Sequence, residues 1–490
     1  MFEVAEAGHK LKASVYKRRS PRARKRLLEL QYKLQDKPDF PVLILLHGVE
    51  GAGLSETANL FNAWMDPRHI RTHAEDPSAR EVPGLPYMWP YWQALPPKGR
   101  FALFLGSWYS GALEDHAWHG EDAVRFEQRL ERIRHFERML AAEGALIVKL
   151  WLHLSRKAQR ERLEALEADK ATSWRVTHAQ WRQHKHYREY IAAAEAAIAA
   201  TSTAEAPWEI IDGSDSEYRN LAAATLVGDA LAARLAGKGP KLAPASPPPA
   251  PPIDRRTLLA TLDYSGTLDH DAYEEKLAKH QGQLARRMRS RAMRKRPVVV
   301  VFEGMDAAGK GSTIRRITQA LDAREYSVIP IAAPTEEERA QPYLWRFWRT
   351  LPRAGHMTIF DRSWYGRVLV ERVERLVPEY DWMRAYHEIN DFEQQVAEAG
   401  AVIVKFWLAI TPQEQLRRFR ERERTPYKRF KIGPEDWRNR RKWPAYEKAV
   451  NDMIERTSTD MAPWHVIATD DKKLARVEVL RLLARALRQD

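Results

Sequence analysis

The stretch Gly-Ala-Leu-Ile-Val-Lys-Leu-Trp-Leu from Gly144 to Leu152 returns as Gly-Ala-Val-Ile-Val-Lys-Phe-Trp-Leu from Gly400 to Leu408, a shift of 256 positions. The same shift carries Tyr87-Met88-Trp89 onto Tyr343-Leu344-Trp345, Ser107-Trp108-Tyr109 onto Ser363-Trp364-Tyr365, Trp181 onto Trp437, and Pro207-Trp208 onto Pro463-Trp464. One gapless offset through five separated matches is a tandem duplication, so whatever one half folds into, the other must fold into as well. At 490 residues the chain gives each half more than 200, enough for a core of its own. The expected domains are residues 1–236 and 254–490. The connection 237–253 carries seven prolines from Pro240 to Pro252, which lack amide donors and favour extended polyproline geometry.

Each half alternates short apolar runs with charged, helix-compatible stretches. Pro297 to Phe302 is a continuous β-branched run, the kind of strand that is buried on both faces. Met357 to Phe360 and Ala401 to Leu408 follow it, and Pro41 to Leu46, Phe101 to Leu105 and Ala145 to Leu152 are their counterparts. The alternation predicts an α/β fold in which each half is a parallel sheet flanked by helices. The longest apolar runs fall far short of the roughly 20 residues a membrane-spanning helix needs, and no secretory signal is expected at the start. With zero Cys, disulfides and thiolate metal sites are excluded, and a cytoplasmic setting is expected.

Directly after the strand ending at Phe302 comes Gly304-Met305-Asp306-Ala307-Ala308-Gly309-Lys310-Gly311-Ser312, the Gly-x4-Gly-Lys spacing of a P-loop. Glycines at Gly304, Gly309 and Gly311 let backbone amides converge on phosphate oxygens, the helix start adds partial positive charge, and Lys310 supplies a full one. Gly311 stands where Ser or Thr is usual, with Ser312 and Thr313 next. About 50 residues on, Thr358 to Tyr365 places Asp361-Arg362 at a strand end, where a nucleotide enzyme holds a carboxylate for Mg²⁺. Asp361 with Asp306 is the expected metal pair, and Arg362 the expected bidentate phosphate ligand.

The net charge of +14 favours anionic partners. Lys10 to Lys33 and Arg286 to Arg296 read as solvated basic helix faces. Arg417 to Lys442 holds twelve Lys or Arg against four acids and reads as a lid that closes cations over transferring phosphates, Arg420, Arg424 and Lys428 among them. The first half separates this from a plain solvated helix. Its equivalent, residues 161–186, has five basic residues and four acids. At the loop, Lys310 corresponds to Leu54 and Asp306 to Glu50; at the second element, Asp361 corresponds to Leu105 and Arg362 to Gly106. Gly48, Gly53, Trp108 and Tyr109 persist while every proposed chemical residue has changed, so the first half is expected to be silent. The aromatics Tyr343 to Trp348 recur as Tyr87 to Trp92 and read as core. Arg346, replaced by Pro90, is the exception and a candidate phosphate ligand.

The loop, the segment Tyr343 to Pro352, Phe360-Asp361-Arg362-Ser363-Trp364-Tyr365-Gly366-Arg367, the lid and Glu435-Asp436-Trp437 together resemble the polyphosphate kinase 2 family, over all of the second half and, through the shift, the first. The resemblance implies a Mg²⁺-dependent transfer of a terminal phosphoryl group from inorganic polyphosphate to a nucleotide. In fused two-copy chains it resembles the class that converts AMP to ADP. It also implies Mg²⁺ on Asp306 and Asp361, and phosphates on Lys310, Arg362 and the lid arginines. An ATP-dependent nucleoside monophosphate kinase and a polyphosphate:ADP phosphotransferase share these features. A nucleic-acid-binding protein would need only the basic charge and is the weaker reading; a membrane partner is not expected, and self-association into a homo-oligomer is left open.

Overall fold

The computed structural model describes residues 1–74, 82–238 and 257–488. Apart from Gly237 and Lys238, the expected connection lies outside the described residues. These cluster into two compact units: residues 1–74, 90–238 and 335–342 form one, and residues 82–89, 257–334 and 343–488 the other.

In the first unit, β1 (Val42–Gly48), β2 (Ile70–Ala74), β3 (Phe101–Leu105), β4 (Leu146–His153) and β5 (Trp208–Asp212) form a parallel sheet in the order β2-β3-β1-β4-β5. In the second, β6 (Val298–Gly304), β7 (Tyr326–Pro330), β8 (Met357–Asp361), β9 (Val402–Ala409) and β10 (Trp464–Ala468) repeat it as β10-β9-β6-β8-β7. The duplicated strands occupy matching places, as the shift requires. Val298 to Phe302 are all buried in the centre, because helices cover both faces and no side of the strand meets water. The edge strands β2 and β7 are mostly exposed or half-buried, and β7 ends at Pro330, so neither has the buried apolar run that marks the central strands.

Helix Ala13–Asp36 buries Leu27, Leu30 and Leu34 and turns Arg18, Arg22 and Arg24 outward, a solvated basic face as expected. Below the sheet of the second unit, Lys405 is fully buried and donates to Glu393 Oε2 (2.7 Å), Tyr365 Oη (2.8 Å) and the Thr457 carbonyl (2.7 Å). Tyr365 and Trp364 in turn donate to Glu393 Oε1. Every ammonium proton has an acceptor, which is what a buried charge demands. Lys149, Glu137, Tyr109, Trp108 and Thr201 form the same knot in the first unit. The aromatic cluster is core: Trp345, Phe347 and Trp348 are buried. No described helix is long and apolar enough to cross a membrane.

Candidate active site

The central strand β6 runs straight into the loop. A Cβ on Gly304 would lie 2.6 Å from the Leu408 carbonyl of β9, so only glycine lets the chain leave the sheet there. Helix Lys310–Thr318 starts at Gly309, and Lys310 folds back to donate to the Gly304 carbonyl at 2.7 Å. Burial and the neighbouring Arg362 guanidinium lower the pKa of Lys310. Ser312 and Thr313 donate their hydroxyls to the Gly309 carbonyl. A Cβ on Gly311 would meet nothing within 4 Å, so no packing demands glycine at the position where a hydroxyl is usual.

The register pairs Phe302 with Asp361, so β8 delivers Asp361 and Arg362 to the same sheet end as the loop. Arg362 Nη2 donates to Asp306 Oδ1 at 3.1 Å, Asn439 Nδ2 donates to Asp306 Oδ2 at 2.8 Å, and Gln415 holds the Asp306 carbonyl at 3.0 Å. Glu303, buried, accepts from Ser363 Oγ at 2.8 Å. Burial pushes its pKa up to about 7 against the pull of Lys310. Asp306, Arg362 and Glu303 line a cleft of about 70 Å³ with Leu369, Trp443 and Tyr446. The structure thus brings Asp306, Lys310, Asp361 and Arg362 together at one end of the sheet.

Backbone strain marks the same place. Ala307 and Arg362 have φ of 65° and 68°, in the left-handed region that disfavours side chains. Their counterparts, Gly51 and Gly106, keep the conformation at 84° and 74°. The turn is therefore a requirement of the fold, and the second half tolerates a guanidinium in it at a cost of about 1–3 kcal/mol.

The segment expected to form the lid is helix Pro412–Arg424, the 3-10 turn Pro426–Lys431 and helix Pro434–Arg441. Its cations divide in three. Arg418 is buried: it donates to the Ala307 and Asp470 carbonyls and to Glu414, bracing the loop from behind. Arg420 and Arg424 line a groove separate from the cleft, and Lys428 pairs with Glu421 at 2.6 Å. Arg346 donates to the Ala332 carbonyl and lies over the Phe347 ring, outside the cleft lining. Sequence reasoning missed Glu303, Asn439 and Arg418.

In the first half the loop is closed by its own neighbours. Gln183, the counterpart of Asn439, accepts from the Glu50 amide at 2.7 Å, Gln180 donates to the Glu50 carboxylate, and burial raises the pKa of Glu50. Arg219 reaches the Ala52 carbonyl, taking over the bracing that Arg418 performs in the second half. Arg162, which the shift aligns with Arg418, instead points towards Glu56 at the surface.

Comparison with known proteins adds to this geometry. A model of the family described as polyphosphate kinase 2 matches residues 10–238 and again 267–490. A polyphosphate:AMP phosphotransferase of Pseudomonas aeruginosa is 49% identical over 488 residues, covering 99% of this chain and 98% of its own. One from Acinetobacter johnsonii is 39% identical over 471 residues, 95% of each chain. A Pseudomonas aeruginosa crystal structure, solved as a candidate polyphosphate kinase 2, superimposes with a TM-score of 0.90 at 47% identity, covering 99% of this chain and 98% of that one.

Proposed function

The chain belongs to the polyphosphate kinase 2 family, and from that premise we propose that it transfers the terminal phosphoryl group of inorganic polyphosphate to AMP, giving ADP. The observation that carries the proposal is that Lys310, Asp306, Asp361 and a strained Arg362 meet at one sheet end in the second half, while the first half has lost all four. Residues 254–490 are the catalytic domain in this reading, residues 1–236 a silent copy, and 237–253 the linker. Relatives that span both halves are named for AMP, which supports AMP over ADP as acceptor.

An oxygen of the AMP phosphate attacks the terminal phosphorus of polyphosphate, and the bond from that phosphorus to its bridging oxygen breaks. The nucleophile is already an anion, so no general base is needed; positioning and charge neutralisation carry the catalysis. Lys310 and Arg362 sit where charge on the transferred group would be neutralised. Arg420, Arg424 and Lys428 supply cations for a donor with about one charge per phosphate.

Mg²⁺ is the expected metal, and Asp306 and Asp361 would hold it. Among the described residues no group of three or more His, Cys, Asp or Glu is placed to bind a metal unaided. That fits an ion held by one or two carboxylates together with substrate phosphates, as Mg²⁺ prefers. Bound there, it would neutralise charge on the phosphates. A cytoplasmic location belongs to the same proposal, on the absence of cysteine and the nature of the substrates.

Nucleotide chromatography after mixing protein, AMP, Mg²⁺ and polyphosphate tests the reading. ADP should form, and chelation should stop it. No ADP with polyphosphate but ready formation with ATP would make the protein a monophosphate kinase instead.

A further inference from the structure

Beside the cleft lies a second cavity of about 340 Å³, and the two share Met305, Trp407 and Trp443 in their linings. Tyr264, Ala409 and Glu447 complete the part that matters here. The duplication supplies a control. In the first half the corresponding ring of β4, Trp151, is covered: Phe2, buried, stacks on Trp151 at 5.6 Å and on His153 at 4.3 Å. The shift turns His153 into Ala409 and Phe2 into Leu258, which is 46% exposed. Leu259, beside Leu258, is buried and lines the cavity, so the ring-sized filler that has gone from the active half is the His153 imidazole, replaced by the Ala409 methyl. In the same comparison Ile191 becomes Glu447 and Gly8 becomes Tyr264, so the emptied space gained a carboxylate and an aromatic ring.

A slot with Trp407, Trp443 and Tyr264 in its walls favours a flat ring, through buried area and stacking. A carboxylate in its lining accepts N–H donors and repels lone pairs. Burial, with the negative charges of Asp470 and Glu447 adding to it, pushes the Tyr264 hydroxyl up to about 12, so it stays protonated at neutral pH.

We propose that this cavity is the base pocket of the nucleotide acceptor, with Glu447 accepting a hydrogen bond from the 6-amino group of adenine. The assignment rests on the AMP-kinase reading above. It makes Glu447 a specificity-determining residue.

Initial rates with AMP and with purine riboside 5′-monophosphate, which lacks the 6-amino group, test it on the full chain with polyphosphate as donor. The parent should prefer AMP by about tenfold or more in KM, the scale of a hydrogen bond to a charged group. Glu447→Ala should erase that preference, raising KM for AMP to about that for purine riboside 5′-monophosphate. Ala409→His, which restores the first half's filler, should raise KM for AMP and leave KM for polyphosphate alone. Glu447 is half-buried on the face of helix Trp443–Thr457, so its truncation should leave the thermal midpoint near that of the parent. A parent that makes no ADP from AMP and polyphosphate would remove the functional reading itself. A parent that is active, with the same preference retained in Glu447→Ala, would overturn the pocket assignment alone.

Discussion

Arg362 and Gly106 occupy the same left-handed corner of the repeated fold, at φ of 68° and 74°, one carrying a guanidinium and the other nothing. The first half has relaxed a strain that the second retains. Retention makes sense where the side chain has work that outweighs its conformational cost.

Arg362→Gly should therefore separate stability from activity. Relief of the left-handed strain offsets the loss of the partly exposed Asp306 pair, which at the surface contributes about 0–1 kcal/mol. The thermal midpoint should be no lower than the parent's, while phosphoryl transfer falls by about 10² or more, the scale of losing one charge-stabilising group. A midpoint lowered by several degrees with the rate intact would mean that Arg362 is structural.

Lys310→Ala should lower the rate by about 10² or more as well, with the fold preserved, because among the described residues Lys310 donates to the loop carbonyls of Gly304 and Met305. Circular dichroism and initial rates check both halves of the statement. Activity within threefold of the parent would remove Lys310 from the chemistry.

Glu303 gives a pH-dependent prediction. Its folded pKa of about 7 lies above the ordinary value of 4.5, so the folded state holds this proton more tightly than the unfolded chain does. Stability contributed at this site is present below about pH 4.5, declines as the pH rises to about 7, and stays lost above it. Glu303→Gln carries no such penalty. Its advantage over the parent in denaturant unfolding should be small at pH 4.5 and grow to at most about 3 kcal/mol by pH 8. A constant difference across that range would contradict the shifted carboxyl.

Leu54→Lys, placed in a Lys310→Ala background, should recover no turnover. Gln180 and Gln183 already cover the first-half loop and hold Glu50, Arg219 braces it, and Leu105 and Gly106 stand where the second carboxylate and the guanidinium would have to be. Measurable ADP formation by the double variant would show that the first half can be reawakened by one cation.

Central strands and the loop were legible because their physics is local: Val298 to Phe302 must be apolar throughout, and a P-loop must place glycines at fixed spacing. Edge strands such as Tyr326–Pro330 were not, since a strand half in water need not look apolar. Lys310 and Asp361 announced themselves by spacing. Arg418 did not, because counting cations along the lid cannot tell a guanidinium that faces phosphate from one buried against the Ala307 carbonyl. Glu303 and Asn439 depend on which helix and strand ends meet, and that is settled only by packing.

The Lys405–Glu393 knot and its twin, Lys149–Glu137, carry a lesson about decay. Losing either partner strands a buried charge, at about 3–5 kcal/mol, so neither can drift away singly. The candidate catalytic groups sit at an accessible loop and could be shed one substitution at a time. A duplicated copy released from selection for chemistry thus forgets its reaction long before it forgets its core, and the surviving buried pair becomes the more durable record of common ancestry.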